Sequence, residues 1–225
     1  MNIGIIGCGW LGKPLATHLS QKHHVSCFSR KHTLDTFWEN ELFIISISTK
    51  DNYLQSLQSF LRQIKPDTPI IFTSSTSVYK EFDEEVTEES IIRTKTLQKE
   101  AEELVQGSHN NLLILRLGGL MGEDRVAGKW KSISSFTDSP VNYIHKEDIL
   151  PIVAKFIDKR INNGIFNLVA PEHPMRSEVH EKNSQDFGFE LGSFKGVNHR
   201  VVNSDKLIKT LKYTFIHPNP LEFWT

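Results

Sequence analysis

The chain has 225 residues, 38% of them apolar and 24% charged, with a formal net charge of −1. That length suits one substantial domain, and the near-neutral balance lacks the Lys/Arg excess on which nucleic-acid affinity rests. No stretch reaches the roughly 18 uninterrupted apolar residues of a membrane span, so neither nucleic acid nor a membrane is an expected partner.

In chain order, the first apolar run is Ile3-Gly4-Ile5-Ile6, the centre of a strand expected over residues 2–7. It leads directly into Gly7-Cys8-Gly9-Trp10-Leu11-Gly12, after which Leu11, Leu15 and Leu19 mark one face of a helix over residues 11–22. A strand, this glycine spacing and a helix together form the context of a dinucleotide-binding turn. The first glycine permits the tight turn, the second lets backbone approach a pyrophosphate, and the third lets helix and sheet pack closely. The anion then meets the positive end of the helix, which makes Gly7, Gly9, Trp10, Leu11 and Gly12 candidate cofactor contacts.

A second strand is expected over residues 24–29 and ends in Ser29-Arg30-Lys31. An acidic residue here would bind a ribose 2′-hydroxyl, whereas Arg pairs bidentately with a 2′-phosphate. Ser29, Arg30 and Lys31 therefore favour NADP over NAD. Only about a dozen residues separate this strand from the next, at 42–48, too few for the usual crossover helix plus another strand. The sheet is expected to be trimmed on that side.

Further strands are expected at 69–74 and 112–117, with a helix over 96–106 whose Leu97, Ala101 and Leu104 share a face. Residues 118–138, rich in Gly, Ser and charge, read as a loop with one short helix. A strand at 141–144, a helix at 146–159 and a strand at 165–169 follow, then a helix at 177–187, a strand at 199–202 and a helix at 204–211. The expected fold is α/β, a Rossmann-type doubly wound parallel sheet trimmed on one side, with a small C-terminal substrate-side subdomain. The whole chain reads as a single NAD(P)-binding domain. Residues 1–117 form its nucleotide-binding core, 140–170 complete the sheet, and 118–139 and 171–225 face the substrate.

The segment Phe72-Thr73-Ser74-Ser75-Thr76-Ser77-Val78-Tyr79 resembles the extended short-chain dehydrogenase/reductases, the NAD(P)-dependent epimerases and dehydratases. Arg116 to Gly122, Asn142 to Asp148 and Gly164 to Leu168 resemble further segments of that group in the same order. Ala170-Pro171-Glu172-His173-Pro174 and the ending around His217-Pro218-Asn219-Pro220 are similar to an uncharacterised bacterial branch of it, so that the likeness covers nearly the whole chain. The resemblance implies an oxidoreductase or epimerase/dehydratase-like protein, assigns Ser74 to the cofactor, and places Ser75 where the family's catalytic Ser or Thr stands.

The family's Tyr-x-x-x-Lys pair is missing. Aligning Ala101-Glu102 with the family's helical Ala-Glu puts Thr94 and Gln98 at its two positions, and residues 81–107 contain no tyrosine in any register. In the family that tyrosine exchanges a proton with the substrate oxygen while hydride moves to or from the nicotinamide. Relocated candidates are Tyr79 and His145, the latter titrating near neutrality, with Lys95 and Lys99 read as solvated. Asp148 is expected to cap or begin the following helix. His173 and His180, seven apart without a third ligand, suggest no metal site.

Two readings follow: an enzyme using Ser75 with a relocated acid, acting on an unknown small molecule, or a non-catalytic NADP-binding sensor or regulator. A hydroxy-acid dehydrogenase is disfavoured, because the pattern after Leu112 is not all-helical. The strand-like run starting at Asn2 leaves no room for a signal peptide, and Cys8 and Cys27 lie in apolar strand-like surroundings outside any spaced framework. A reducing cytoplasm is the expected compartment, and a homodimer an expected assembly.

Overall fold

The computed structural model describes residues 1–28, 35–49, 52–80, 85–93, 95–130 and 135–224. The chain opens with β1 (Asn2–Ile6), α1 (Gly12–Leu19), β2 (His24–Cys27), a 3-10 turn at Asp35–Glu39 and β3 (Leu42–Ile45). Next come α2 (Tyr53–Leu61), β4 (Ile70–Ser75), β5 (Glu85–Val86), α3 (Leu97–Gln106) and β6 (Leu112–Leu117). The later part contains β7 (Gly119–Met121), β8 (Ser135–Asp138), β9 (Tyr143–His145), α4 (Lys146–Asp158) and β10 (Gly164–Leu168). It ends with α5 (Arg176–Phe187), β11 (Ser193–Val197), β12 (Val201–Val202) and α6 (Asp205–Leu211).

Six of these strands form a parallel sheet in the order β10-β6-β4-β3-β1-β2. This is the Rossmann arrangement with β2 at one edge, the trimming that the short β2–β3 connection requires. Strands β1, β3 and β6 are almost wholly buried apolar runs, as expected where helices cover both faces of a parallel sheet. Between β2 and β3 the described residues carry only the 3-10 turn, whose Phe37 and Trp38 pack edge-on at 5.1 Å beside Phe28 and Phe43.

The chain divides into two compact units. The first comprises 1–78, 92–116 and 150–166; the second comprises 79–91, 117–149 and 167–225. The expected loop over 118–138 instead supplies β7 and β8, with no helix among its described residues. Parallel partners from far along the sequence explain this: β7 pairs with β9, and β8 with β11, so neither strand shows a hairpin signal. In α3 the buried stripe is Ala101, Glu102 and Val105, while Leu97 is exposed. The helix is therefore rotated from the face that apolarity alone selects.

A buried carboxylate causes that rotation. Glu102 is 2% exposed and receives Arg116 Nε at 3.0 Å and Nη2 at 2.7 Å, a bidentate pair, while Ser74 Oγ donates to it at 2.6 Å. Three donors compensate its desolvation and tie α3 to β6 and β4. Arg116→Met should cost about 3–5 kcal/mol in urea denaturation, because the carboxylate then stays buried without its cation. The double variant Arg116→Met/Glu102→Gln should recover a large part of that loss.

Candidate functional site

In the first unit, the glycine-rich turn connects β1 to α1, and its three glycines meet three different environments. Gly7 has φ of +101°, and a Cβ there would fall 2.2 Å from the Ser46 carbonyl oxygen on the chain leaving β3. A Cβ on Gly12 would fall 2.2 Å from the Gly7 carbonyl oxygen, so only hydrogen allows the first turn of α1 to sit this close to the end of β1. A Cβ on Gly9 would meet nothing within 4 Å. Backbone at Gly9 is thus bare on the side where packing does not require it, the arrangement by which a pyrophosphate is approached. Leu11 is 5% exposed, so only its backbone is available to a ligand, whereas Trp10 is half-buried.

Ser29, Arg30 and Lys31 lie outside the described residues, as does Thr94. Immediately before them, Cys27 is exposed at the end of β2 and is joined to the half-buried Cys8 of the turn by a disulfide, with Cα atoms 6.0 Å apart. Sequence spacing did not suggest this pair. Parallel pairing of β1 with β2 sets Ile5 opposite Cys27 and so delivers the cysteine to the turn.

Ser75 ends β4 half-buried, its hydroxyl accepting the Ser77 N–H at 3.2 Å. The neighbouring Ser74 hydroxyl is bound to Glu102. On α3, Lys99 pairs with Glu103 along the helix and Lys95 is exposed, as their setting among Glu and Lys predicts.

In the second unit, Tyr79 is fully buried and donates its hydroxyl proton to Asn167 Oδ1 at 2.6 Å. Asn167 Nδ2 in turn donates to the Asn203 carbonyl, and the Asn167 backbone N–H donates to Glu88 Oε1. His145 is 3% exposed at the end of β9, with its ring centroid 4.0 Å from that of His217. Burial, then the His217 charge, hold its pKa below the ordinary histidine value. Asp148, in the first turn of α4, is wholly buried and accepts from Tyr213 Oη at 2.8 Å, Ile216 N at 2.7 Å and His217 N at 3.0 Å. It anchors a distant segment as well as beginning a helix. His173 Nδ1 lies 2.9 Å from the Val141 carbonyl.

The same unit contains a pocket of about 650 Å³ that sequence reasoning missed. Arg125, Lys129 and Arg176 bring three cations to its lining, Asp124 one acid, and Trp130 and Tyr143 aromatic surface. Cations around an aromatic wall suit an anionic ligand with a flat or apolar portion. Behind this lining, His180 Nε2 stands 2.9 Å from the Tyr143 hydroxyl, and its Nδ1 is buried with no hydrogen-bond partner among the described residues. Burial pushes the His180 pKa down to about 4 and the Tyr143 pKa up to about 12.

The chain has the fold of the extended short-chain dehydrogenase/reductase epimerases. It superimposes on human epimerase family protein SDR39U1 with NADPH, with a TM-score of 0.76, 13% identity and coverage of 99% of this chain and 97% of that one. UDP-glucuronic acid 4-epimerase from Bacillus cereus, in complex with NAD, gives a TM-score of 0.74, 13% identity and the same coverages. A functionally unknown conserved protein from Silicibacter pomeroyi gives 0.75, 17% identity, and 99% and 96% coverage. Among curated proteins, Protein YeeZ of Escherichia coli K12 is 25% identical over an alignment spanning 97% of each chain. No family model matches the chain.

Two outcomes test these descriptions. The disulfide closes a sequence separation of 19 residues, so reducing it should lower stability by about 3 kcal/mol in the chain-entropy picture, and Cys27→Ser should melt alike with and without reductant. Unfolded, His180 takes up a proton near its ordinary value of 6.5; folded, it refuses one until about pH 4. Stability therefore falls with falling pH across that window, by about 2–3 kcal/mol for this group, and His180→Gln should flatten the slope in acid-titrated melts.

Proposed function

We propose that the chain binds NAD(P) on the glycine-rich turn of its first unit and acts as an oxidoreductase or epimerase/dehydratase-like protein on a small anionic molecule. The observation that carries this reading is the division of labour among the glycines. Gly7 and Gly12 are required by the fold, whereas Gly9 is bare toward open space. The fold is also that of SDR39U1, described with NADPH, and of a Bacillus cereus epimerase described with NAD. NADP is favoured over NAD because Ser29-Arg30-Lys31 suits a 2′-phosphate and includes no acid to hold a 2′-hydroxyl.

For the substrate, the pocket with Arg125, Lys129 and Arg176 supports an anionic group seated beside aromatic surface. Among the proton-transfer candidates, Ser75 keeps a partly exposed hydroxyl, whereas Tyr79 and His145 are buried against protein partners. Ser75 is therefore the candidate hydrogen-bond donor of the first unit, with water supplying the proton that the family's tyrosine would carry. Orientation of the reacting carbons supplies most of a hydride transfer's acceleration, so such a site is slow rather than inert.

Fluorescence titration should show NADPH binding more tightly than NADH. Gly9→Val should leave the melting transition unchanged yet weaken NADPH by at least ~10-fold, the equivalent of about 1.4 kcal/mol of lost close approach. Unaltered affinity in that variant would sink the assignment of the turn. Screening carbonyl substrates for NADPH oxidation with wild type and Ser75→Ala then separates the enzyme from the non-catalytic NADP-binding reading, which predicts binding without turnover. That second reading is favoured by the absence of tyrosine from residues 81–107.

A further inference from the structure

At one end of β9 in the second unit, three side chains converge that neither the glycine-rich turn nor the cationic pocket uses. His145 closes the strand, Glu147 stands in the first turn of α4, and His217 comes from a segment 70 residues further on. His217 Nε2 is 2.8 Å from Glu147 Oε2, His145 Nδ1 is 3.9 Å from the same oxygen, and the three ligand atoms lie within 4.8 Å of one another. We infer that His145, Glu147 and His217 form a binding site for a divalent first-row transition metal, zinc foremost.

Coordination geometry supports this assignment. Zinc holds imidazole nitrogen and carboxylate oxygen at about 2.0–2.2 Å, so the ligand atoms of a tetrahedral ion stand roughly 3.3–3.5 Å apart. The two distances to Glu147 bracket that spacing, and Glu147, about half exposed, is free to rotate as the set closes. Two imidazoles with one carboxylate suit zinc and its neighbours over magnesium or calcium, which prefer all-oxygen shells. Three protein ligands also leave a fourth position for water or an added ligand.

The cluster is held in place by protein contacts. The buried carboxylate of Asp148 accepts the Ile216 and His217 N–H groups and the Tyr213 hydroxyl, fixing the backbone that carries His217. Phe223 packs against both imidazoles, with ring centroids 5.4 Å from His145 and 6.0 Å from His217. Supporting groups of this kind set ligand orientation before the ion arrives, which lowers the cost of binding. The two imidazole rings stand with centroids 4.0 Å apart, close enough for one cation to be shared between them.

Tag-free full-length protein, stripped with a chelator and dialysed, is titrated with Zn²⁺ by calorimetry and with Co²⁺ by visible absorption. The expected result is one ion per chain, Co²⁺ bands of low coordination number, and no competition from Mg²⁺. Glu147→Gln and His217→Ala should each weaken Zn²⁺ by more than the roughly 10–100-fold that loss of an outer-shell partner costs, while His24→Ala, an exposed histidine elsewhere, should bind as wild type. Glu147→Gln is isosteric at a half-exposed position, so it keeps the test decisive should His217→Ala fold poorly. No stoichiometric binding, or equal affinity in Glu147→Gln and wild type, overturns the site.

Discussion

The contact on which the first unit depends is the one between Gly12 and the Gly7 carbonyl, where a single Cβ would bring carbon within 2.2 Å of oxygen. Because α1 starts this close to the end of β1, its N-terminus lies directly beside the turn, and the backbone between the two glycines has almost no freedom. Gly7 is constrained from the other side by Ser46, which couples the turn to β3 as well as to α1. The positive end of the helix is thereby aimed across Gly9 into open space. The disulfide from Cys8 to Cys27 adds a covalent restraint to the same turn and ties it to the edge strand.

Buried carboxylates organise much of the remainder, one in each unit. Glu102 gathers Arg116 and Ser74; Asp148 gathers Tyr213 and the backbone of Ile216 and His217. In both cases several donors converge on an acid that has lost its water, the condition under which a buried charge is tolerable. They differ in what they hold. Glu102 fixes the orientation of α3 by turning an acidic residue inward. Asp148 fixes the backbone of the C-terminal segment that follows α6.

What was legible in the sequence follows the range of the interactions. Strand β1, the glycine turn and α1 are set by neighbours within a few residues, so periodicity and glycine spacing located them, as they located β6, α4 and α5. The trimmed edge of the sheet could be inferred from the length of the β2–β3 connection. Strands β7, β8 and β11 could not, because each gains its hydrogen bonds from a partner distant in sequence. The same limit hid the cationic pocket, whose Arg125, Lys129 and Arg176 come from separate segments, and the pairing of Cys8 with Cys27. A face-by-face reading of α3 failed for a different reason: it weighed Leu97 by apolarity, whereas the orientation is decided by a charge at Glu102.

The absence of a tyrosine between residues 81 and 107 gains meaning from where the other polar groups are committed. Ser74 is bound to Glu102 and Tyr79 to Asn167, so two hydroxyls close to the family's catalytic serine position in sequence serve the architecture. Ser75 is half-buried, and its hydroxyl accepts the backbone N–H of the exposed Ser77. The glycine turn meanwhile keeps its steric constraints at Gly7 and Gly12, which do not depend on those hydroxyls. Cofactor binding and proton transfer place separate demands on the chain, because the first rests on backbone where a Cβ at Gly7 or Gly12 would clash and the second on titratable or hydroxyl side chains.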